Sequence, residues 1–320
     1  MAKIMYIGIQ SEPYDNTKQK GDNMLIDIHG HCLKNKDLPY RRGDEPFVWP
    51  ELLLNMHKEI GIDHGVLLPV IGPENTSVTQ TVDEVLDIAR ESGGHFIPFM
   101  NLDPRMMFNS PTADLSFIIE HYKAKGCKGI GELTINMPFT DPRCLNLFAA
   151  AEKNELPVTI HIATQEGGTY GLIDQLGLPQ LEIVLQKFPS LKILGHSQAF
   201  WSHMSSDVNA ANWGGYPNGP VVRPGRIAEL MRKYDNLLGD FSAGSGLNSL
   251  TRDLSFAYEF IDEFQDRLFY GTDLCQPKNR NSSIFFGLRD FLKNGLNEKK
   301  ISQAAYEKIT HRNAERLLGL

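Results

Sequence analysis

The chain has 320 residues, 41% of them hydrophobic, and carries a formal net charge of −7. An acidic chain with no basic cluster excludes a nucleic-acid-binding surface, and no apolar run approaches the roughly 20 residues that span a bilayer. The length suits a single (β/α)8 TIM barrel with insertions, for which about 250 residues is typical.

Residues 1–23, polar from Gln10 onward, are expected to form an N-terminal extension before one barrel domain over 24–320. The short apolar run Ile4-Met5-Tyr6-Ile7-Gly8-Ile9 has no small-residue cleavage pattern after it, so a cytoplasmic protein is expected. Cys32, Cys127, Cys144 and Cys275 stand far apart and predict neither a zinc finger nor a disulfide framework.

Eight strands are predicted at 24–29, 65–70, 96–101, 127–133, 157–162, 191–196, 236–241 and 267–272, alternating with amphipathic segments. The first, Met24-Leu25-Ile26-Asp27-Ile28, closes on His29, and His31 follows two residues later. A strand repeats every two residues, so His29 and His31 share a face and can grip one ion. By the same parity Asp27 is expected to point inward one layer deeper and to orient a ligand histidine. Pro50 opens a helix that Gly61 stops, and Asp141-Pro142 caps another that runs to Lys153. Glu132 ends Lys128-Gly129-Ile130-Gly131-Glu132 and is expected to touch the metal or the substrate. His161 ends Val158-Thr159-Ile160, His196 ends Lys192-Ile193-Leu194-Gly195, and Asp273 follows Leu268-Phe269-Tyr270-Gly271-Thr272. Asp240 on the seventh strand is a weaker candidate.

Neutral imidazoles and carboxylates are ordinary ligands of a catalytic divalent ion, so His29, His31, His161 and Asp273 are read as a metal set. Widely separated strand ends converge on one point only if the sheet closes, which favours a barrel over an open doubly wound sheet. His57, His64, His121, His203 and His311 fall on helices or loops, and His95 begins a strand at the opposite end, so these are read as structural. Loops 30–49 and 197–225 are too long to be plain turns. The second is rich in Phe200, Trp201, Trp213 and Tyr216, the composition of a lid. Arg41, Arg42 and Arg223 on these loops are expected to clamp a substrate carboxylate, with Trp201 beside it.

The ordered series Asp27-Ile28-His29-Gly30-His31, Gly131-Glu132, His161, Gly195-His196 and Gly271-Thr272-Asp273 resembles the amidohydrolase superfamily. It is most similar to the amidohydrolase-related branch that includes aminocarboxymuconate semialdehyde decarboxylase, as is the C-terminal Asn313-Ala314-Glu315-Arg316-Leu317-Leu318-Gly319-Leu320. The resemblance implies a metal-dependent barrel enzyme in which His29, His31, His161 and Asp273 bind a divalent ion, usually zinc with manganese as the alternative. It makes His196 a second-metal ligand or an acid/base. Glu132 sits where deoxyribonuclease-like members carry a bridging carboxylate, and Lys128 lies too deep to bridge, so one ion or two remains open. Asp273 is the expected general base of a hydrolase acting on a small amide, ester or lactone. A decarboxylase on the same site is the alternative. The partner is a small carboxylate-bearing molecule, and the surface is compatible with a homo-oligomer.

Overall fold

The computed structural model describes residues 24–39, 42–75 and 78–320. Nine strands run through it: β1 (Ile26–Gly30), β2 (His64–Leu67), β3 (Phe96–Pro98), β4 (Ile130–Leu133), β5 (Val158–Ala163), β6 (Leu172–Ile173), β7 (Ile193–His196), β8 (Leu237–Asp240) and β9 (Leu268–Phe269). All strand pairings between them are parallel, in the orders β1-β2-β3 and β4-β5-β7-β8-β9, with β6 a short addition at the end of β5.

Two seams join these sheets into a ring. A bridge between Met100 and Ile130 ties β3 to β4. On the other side Gly30 bridges Leu274, Ile28 N–H donates to the Tyr270 carbonyl at 3.0 Å, and Asp273 N–H donates to the His29 carbonyl at 2.8 Å. Eight strands therefore close the barrel, and all eight predicted segments contribute one. The last is the most shortened. Tyr270 N–H leaves the ladder to donate to Ile309 at 3.0 Å, in the π-helical turn Lys308–Arg312, so regular pairing stops after Phe269.

The barrel interior is a separate apolar cluster of Ile26, Ile28, Val66, Leu68, Ile97, Phe99, Leu194, Leu238 and Phe269, which Ala314 and Leu318 of the C-terminal helix also join. Leu25, Leu67, Phe96, Met100, Ile130, Ile160, Ile193, Leu237 and Leu268 face the helices instead. Alternation along each strand thus separates an inner layer from an outer one. The helices follow their end signals. Pro50–Ile60 starts on a first-turn proline and stops at Gly61, whose φ of 90° is easy only for glycine. Pro142–Lys153 is capped by the Asp141 carboxylate on Arg143 N–H.

On β1 the expected parity fails. Its register with β2 shifts between Asp27 and Gly30, so Ile28 joins the interior cluster and His29 also reaches the barrel mouth. Asp27 turns to the outer side, where it lies 3.5 Å from His57 of the first helix. A comparable shift between Ile130 and Leu133 on β4 re-aims Glu132.

Candidate metal centre

The C-terminal ends of β1, β4, β5, β7, β8 and the segment after β9 bring His29, His31, Glu132, His161, His196, Asp240 and Asp273 together. His29 Nε2 and His31 Nε2 are 3.1 Å apart. Glu132 Oε2 is 3.6 Å from the first and 3.5 Å from the second. Asp273 Oδ1 is 3.7 Å from His29 Nε2 and 3.5 Å from His31 Nε2. A tetrahedral ion with bonds of about 2.0–2.2 Å has ligand-to-ligand edges of about 3.3–3.6 Å. Three of the five measured separations fall in that range, and the other two, 3.1 and 3.7 Å, stand just below and just above it.

A second group shares one member with the first. Ligand atoms of Glu132, His161 and His196 lie within 4.8 Å of one another. Glu132 Oε1, which faces His196 Nε2 at 3.9 Å, is buried and has no hydrogen-bond partner. An orphaned carboxylate oxygen in a buried cluster is costly. With His29 Nδ1 on the Asp240 carboxylate and His31 Nδ1 on the Leu68 carbonyl, the two imidazoles when neutral turn lone pairs toward each other at 3.1 Å, which is costly too. Both observations are what a site built for a divalent ion leaves behind. The residues fit one ion among His29, His31, Glu132 and Asp273, and Glu132, His161 and His196 offer ligand atoms for a second.

The charges point the same way. Burial works against charge on His29, yet the Asp240 and Glu132 carboxylates hold its pKa well above the ordinary value. Burial also works against Glu132, but bonds to His29 and His31 keep its carboxyl well below the usual range. The cluster therefore draws positive charge to its centre. Asp240, fully buried, sets His29 by a 2.6 Å contact to Nδ1, leaving Nε2 for the ion. His196 is pushed down to about 3 by burial and by His29, so its imidazole is neutral. Its Nδ1 meets Ser242 Oγ at 2.9 Å. Burial pushes Asp273 up to about 6. Its backbone takes the left-handed φ of 56°, which Asp tolerates better than most residues.

The proposed substrate residues fare differently. Arg41 lies outside the described residues. Arg42 and Arg223 are exposed, and the Arg223 carbonyl accepts from Ser206 N–H at 3.0 Å, which helps close the base of the 197–225 loop. Trp201 is corrected outright. It is 2% exposed, stacks on Phe241 at 4.7 Å, and donates its indole N–H to the Asp240 carbonyl at 2.8 Å. It braces the outer wall of β8, where a side chain at Gly239 would come within 2.9 Å of it. Tyr216 instead is the half-exposed aromatic of that loop, its hydroxyl accepting from Gln198 Nε2 at 2.9 Å. Sequence reading missed Ser242 and Asn101. Each stands two residues beyond an inward-facing position, Asp240 and Phe99, and the period of two would have found both.

A closed barrel with a His-x-His pair and facing carboxylates at the C-terminal mouth defines a metal-centre enzyme scaffold. An amidohydrolase family profile matches residues 26–320, and the chain belongs to that family. Solved structures share the fold at low identity. An amidohydrolase from Burkholderia multivorans with bound zinc has a TM-score of 0.61 at 14% identity, covering 93% of this chain and 100% of that one. A probable 2-pyrone-4,6-dicarboxylic acid hydrolase from Acinetobacter baumannii, with citric acid bound, gives 0.57 at 12%, over 92% and 99%. The 5-carboxyvanillate decarboxylase of Sphingomonas paucimobilis gives 0.57 at 15%, over 93% and 99%. No curated protein sequence matches the chain. Among the described residues no helix is long and apolar enough to cross a membrane.

Proposed function

We propose that the protein is a divalent-metal-dependent hydrolase of a small amide, ester or lactone that carries a carboxylate. The observation that carries this reading is the convergence of His29, His31, Glu132 and Asp273, whose five measured ligand-atom separations are 3.1–3.7 Å. Zinc is the inferred ion, as bound in the Burkholderia structure, with manganese the alternative. His161 and His196 join Glu132 if a second ion is held.

A bound ion supplies Lewis acidity, which acidifies a water and polarises the scissile carbonyl. The chain does the rest. The side chain of Asp273 is 26% exposed, while His29, His31, Glu132 and His196 show 8% or less, so Asp273 is the carboxylate that incoming water and substrate meet. It takes the water's proton as general base. His196, neutral and held at Nδ1 by Ser242, presents Nε2 toward the developing oxyanion or leaving group. Asp240 keeps His29 oriented throughout. Arg223 of the 197–225 loop is retained as a carboxylate contact. We infer a cytoplasmic enzyme that is compatible with a homo-oligomer.

Decarboxylation of an unsaturated or aromatic acid on the same site is the second reading, favoured by the fold shared with the Sphingomonas decarboxylase. The test is a zinc-loaded preparation given a panel of small lactones, amides, esters and hydroxybenzoates, with hydrolysis read by proton release and decarboxylation by carbon dioxide evolution. Hydrolysis that Asp273→Asn abolishes supports the first reading. Carbon dioxide without hydrolysis replaces it with the second.

A further inference from the structure

Past the end of β3 the chain continues its alternation. Ile97 and Phe99 belong to the barrel interior, while Phe96, Met100 and Leu102 pack toward the helices. Asn101 therefore stands on the inner face, one layer above Phe99 and beside Glu132. It is 3% exposed. Its Nδ2 donates to the Pro69 carbonyl at 3.0 Å and to the Glu132 carbonyl at 2.7 Å, which spends both amide hydrogens on the two neighbouring strand ends. The opposite flip would set Oδ1 against two carbonyl oxygens, acceptor facing acceptor, so the amide has one orientation. In that orientation Oδ1 is buried and has no hydrogen-bond partner.

A fixed amide with an unpaired acceptor, on the inner face and bonded to the backbone of Glu132, is placed to read a ligand rather than only to pack. We propose that Asn101 Oδ1 accepts a hydrogen bond from a hydroxyl or N–H of the bound substrate, and so selects carboxylic acids that carry such a donor. This rests on the carboxylate-substrate reading above. The donor demand follows from the chemistry of the atom. A carbonyl-type oxygen can only accept, and a substrate without a donor leaves it unpaired and desolvated.

The experiment is calorimetric titration of the zinc-loaded protein with benzoate and its 2-, 3- and 4-hydroxy derivatives. At least one hydroxy acid is expected to bind about tenfold tighter than benzoate. Asn101→Leu should erase that preference, bringing the tightest hydroxy acid to within about twofold of benzoate in the same variant. Asn101→Asp keeps an acceptor oxygen and, protonated between the Pro69 and Glu132 carbonyls, donates to one of them, so it should keep the preference. A residue that merely braced Glu132 would change zinc content in Asn101→Leu without changing the ratio of hydroxy-acid to benzoate affinity. Zinc content and thermal midpoint report folding in each. The proposal is overturned if the wild type shows no preference, if Asn101→Leu retains it, or if Asn101→Asp loses it as Asn101→Leu does. If none of the four acids binds the zinc-loaded wild type, the carboxylate reading falls and takes this proposal with it. That outcome is distinct from four acids bound equally.

Discussion

Two histidine clusters flank the wall of this barrel, and the charge held on His29 sets the first apart from the second. At the C-terminal mouth His29, His31, His161 and His196 converge on Glu132, Asp240 and Asp273, and the carboxylates hold His29 far above its ordinary pKa. On the outer side His57 meets His95, Nδ1 to Nε2, at 2.9 Å, and His64 Nδ1 meets the Gly94 carbonyl at 3.1 Å. There burial pushes His57 down to about 3 and His95 to about 4, so both stay neutral. His57 fills space that Gly65 leaves open, since a Cβ at 65 would come within 2.4 Å of its ring. Residue type alone does not hold charge in a buried histidine cluster; the several carboxylates around His29 do, whereas among the described residues His57 has Asp27 alone at 3.5 Å.

The largest expected difference is in metal content. His31→Ala should lower zinc affinity by more than about 100-fold, whereas His95→Ala should retain full zinc, both read by elemental mass spectrometry. Equal losses would erase the contrast. Asp240→Asn comes next, because it removes the charge behind His29 without touching the ion. Zinc affinity should fall about 10- to 100-fold, measured by competition with a chelator. Gly65→Ala tests the other cluster. Displacing His57 should cost about 1–3 kcal/mol in denaturant unfolding, with zinc stoichiometry unchanged.

The smallest effect concerns His203, another structural histidine. Its Nδ1 faces the Ala199 carbonyl at 2.7 Å and its Nε2 accepts Gly177 N–H at 3.0 Å, which fixes a neutral tautomer. Burial lowers its pKa below the ordinary 6.5. As pH falls through 6.5 the unfolded chain takes up a proton before the folded one, so stability present at neutral pH is lost on acidification. His203→Gln should flatten that part of the melting curve between pH 7.5 and 5. An unchanged slope would remove His203 from the account.

How much of this was legible beforehand differs by residue. His29 and His31 were readable because two residues along a strand is one face, and the glycine between them does not alter that. Asp27 was not. A register shift between Asp27 and Gly30 reverses the parity beneath the pair and sends its carboxylate to the helix side, and such a shift depends on the neighbouring strand. Trp201 looked like a lid residue because its loop is aromatic, but the notch at Gly239 draws it into the wall. Asp240 looked marginal from one strand alone. Its 2.6 Å contact to His29 joins residues 211 apart in sequence.

The sequence by itself determined eight strand segments, the ends of the helices Pro50–Ile60 and Pro142–Lys153, and the strand ends that carry metal-binding residue types, His29 and His31, Glu132, His161, His196 and Asp273. These are local matters of periodicity, glycine and proline, and side-chain chemistry. Only the tertiary structure decided which of these groups come within 4 Å of one another, that Asp240 lies behind His29, and that Glu132 faces His29 and His31 with one oxygen and His196 with the other. Those are distances of 3–4 Å between strands far apart in the chain, and they exist only once the sheet has closed.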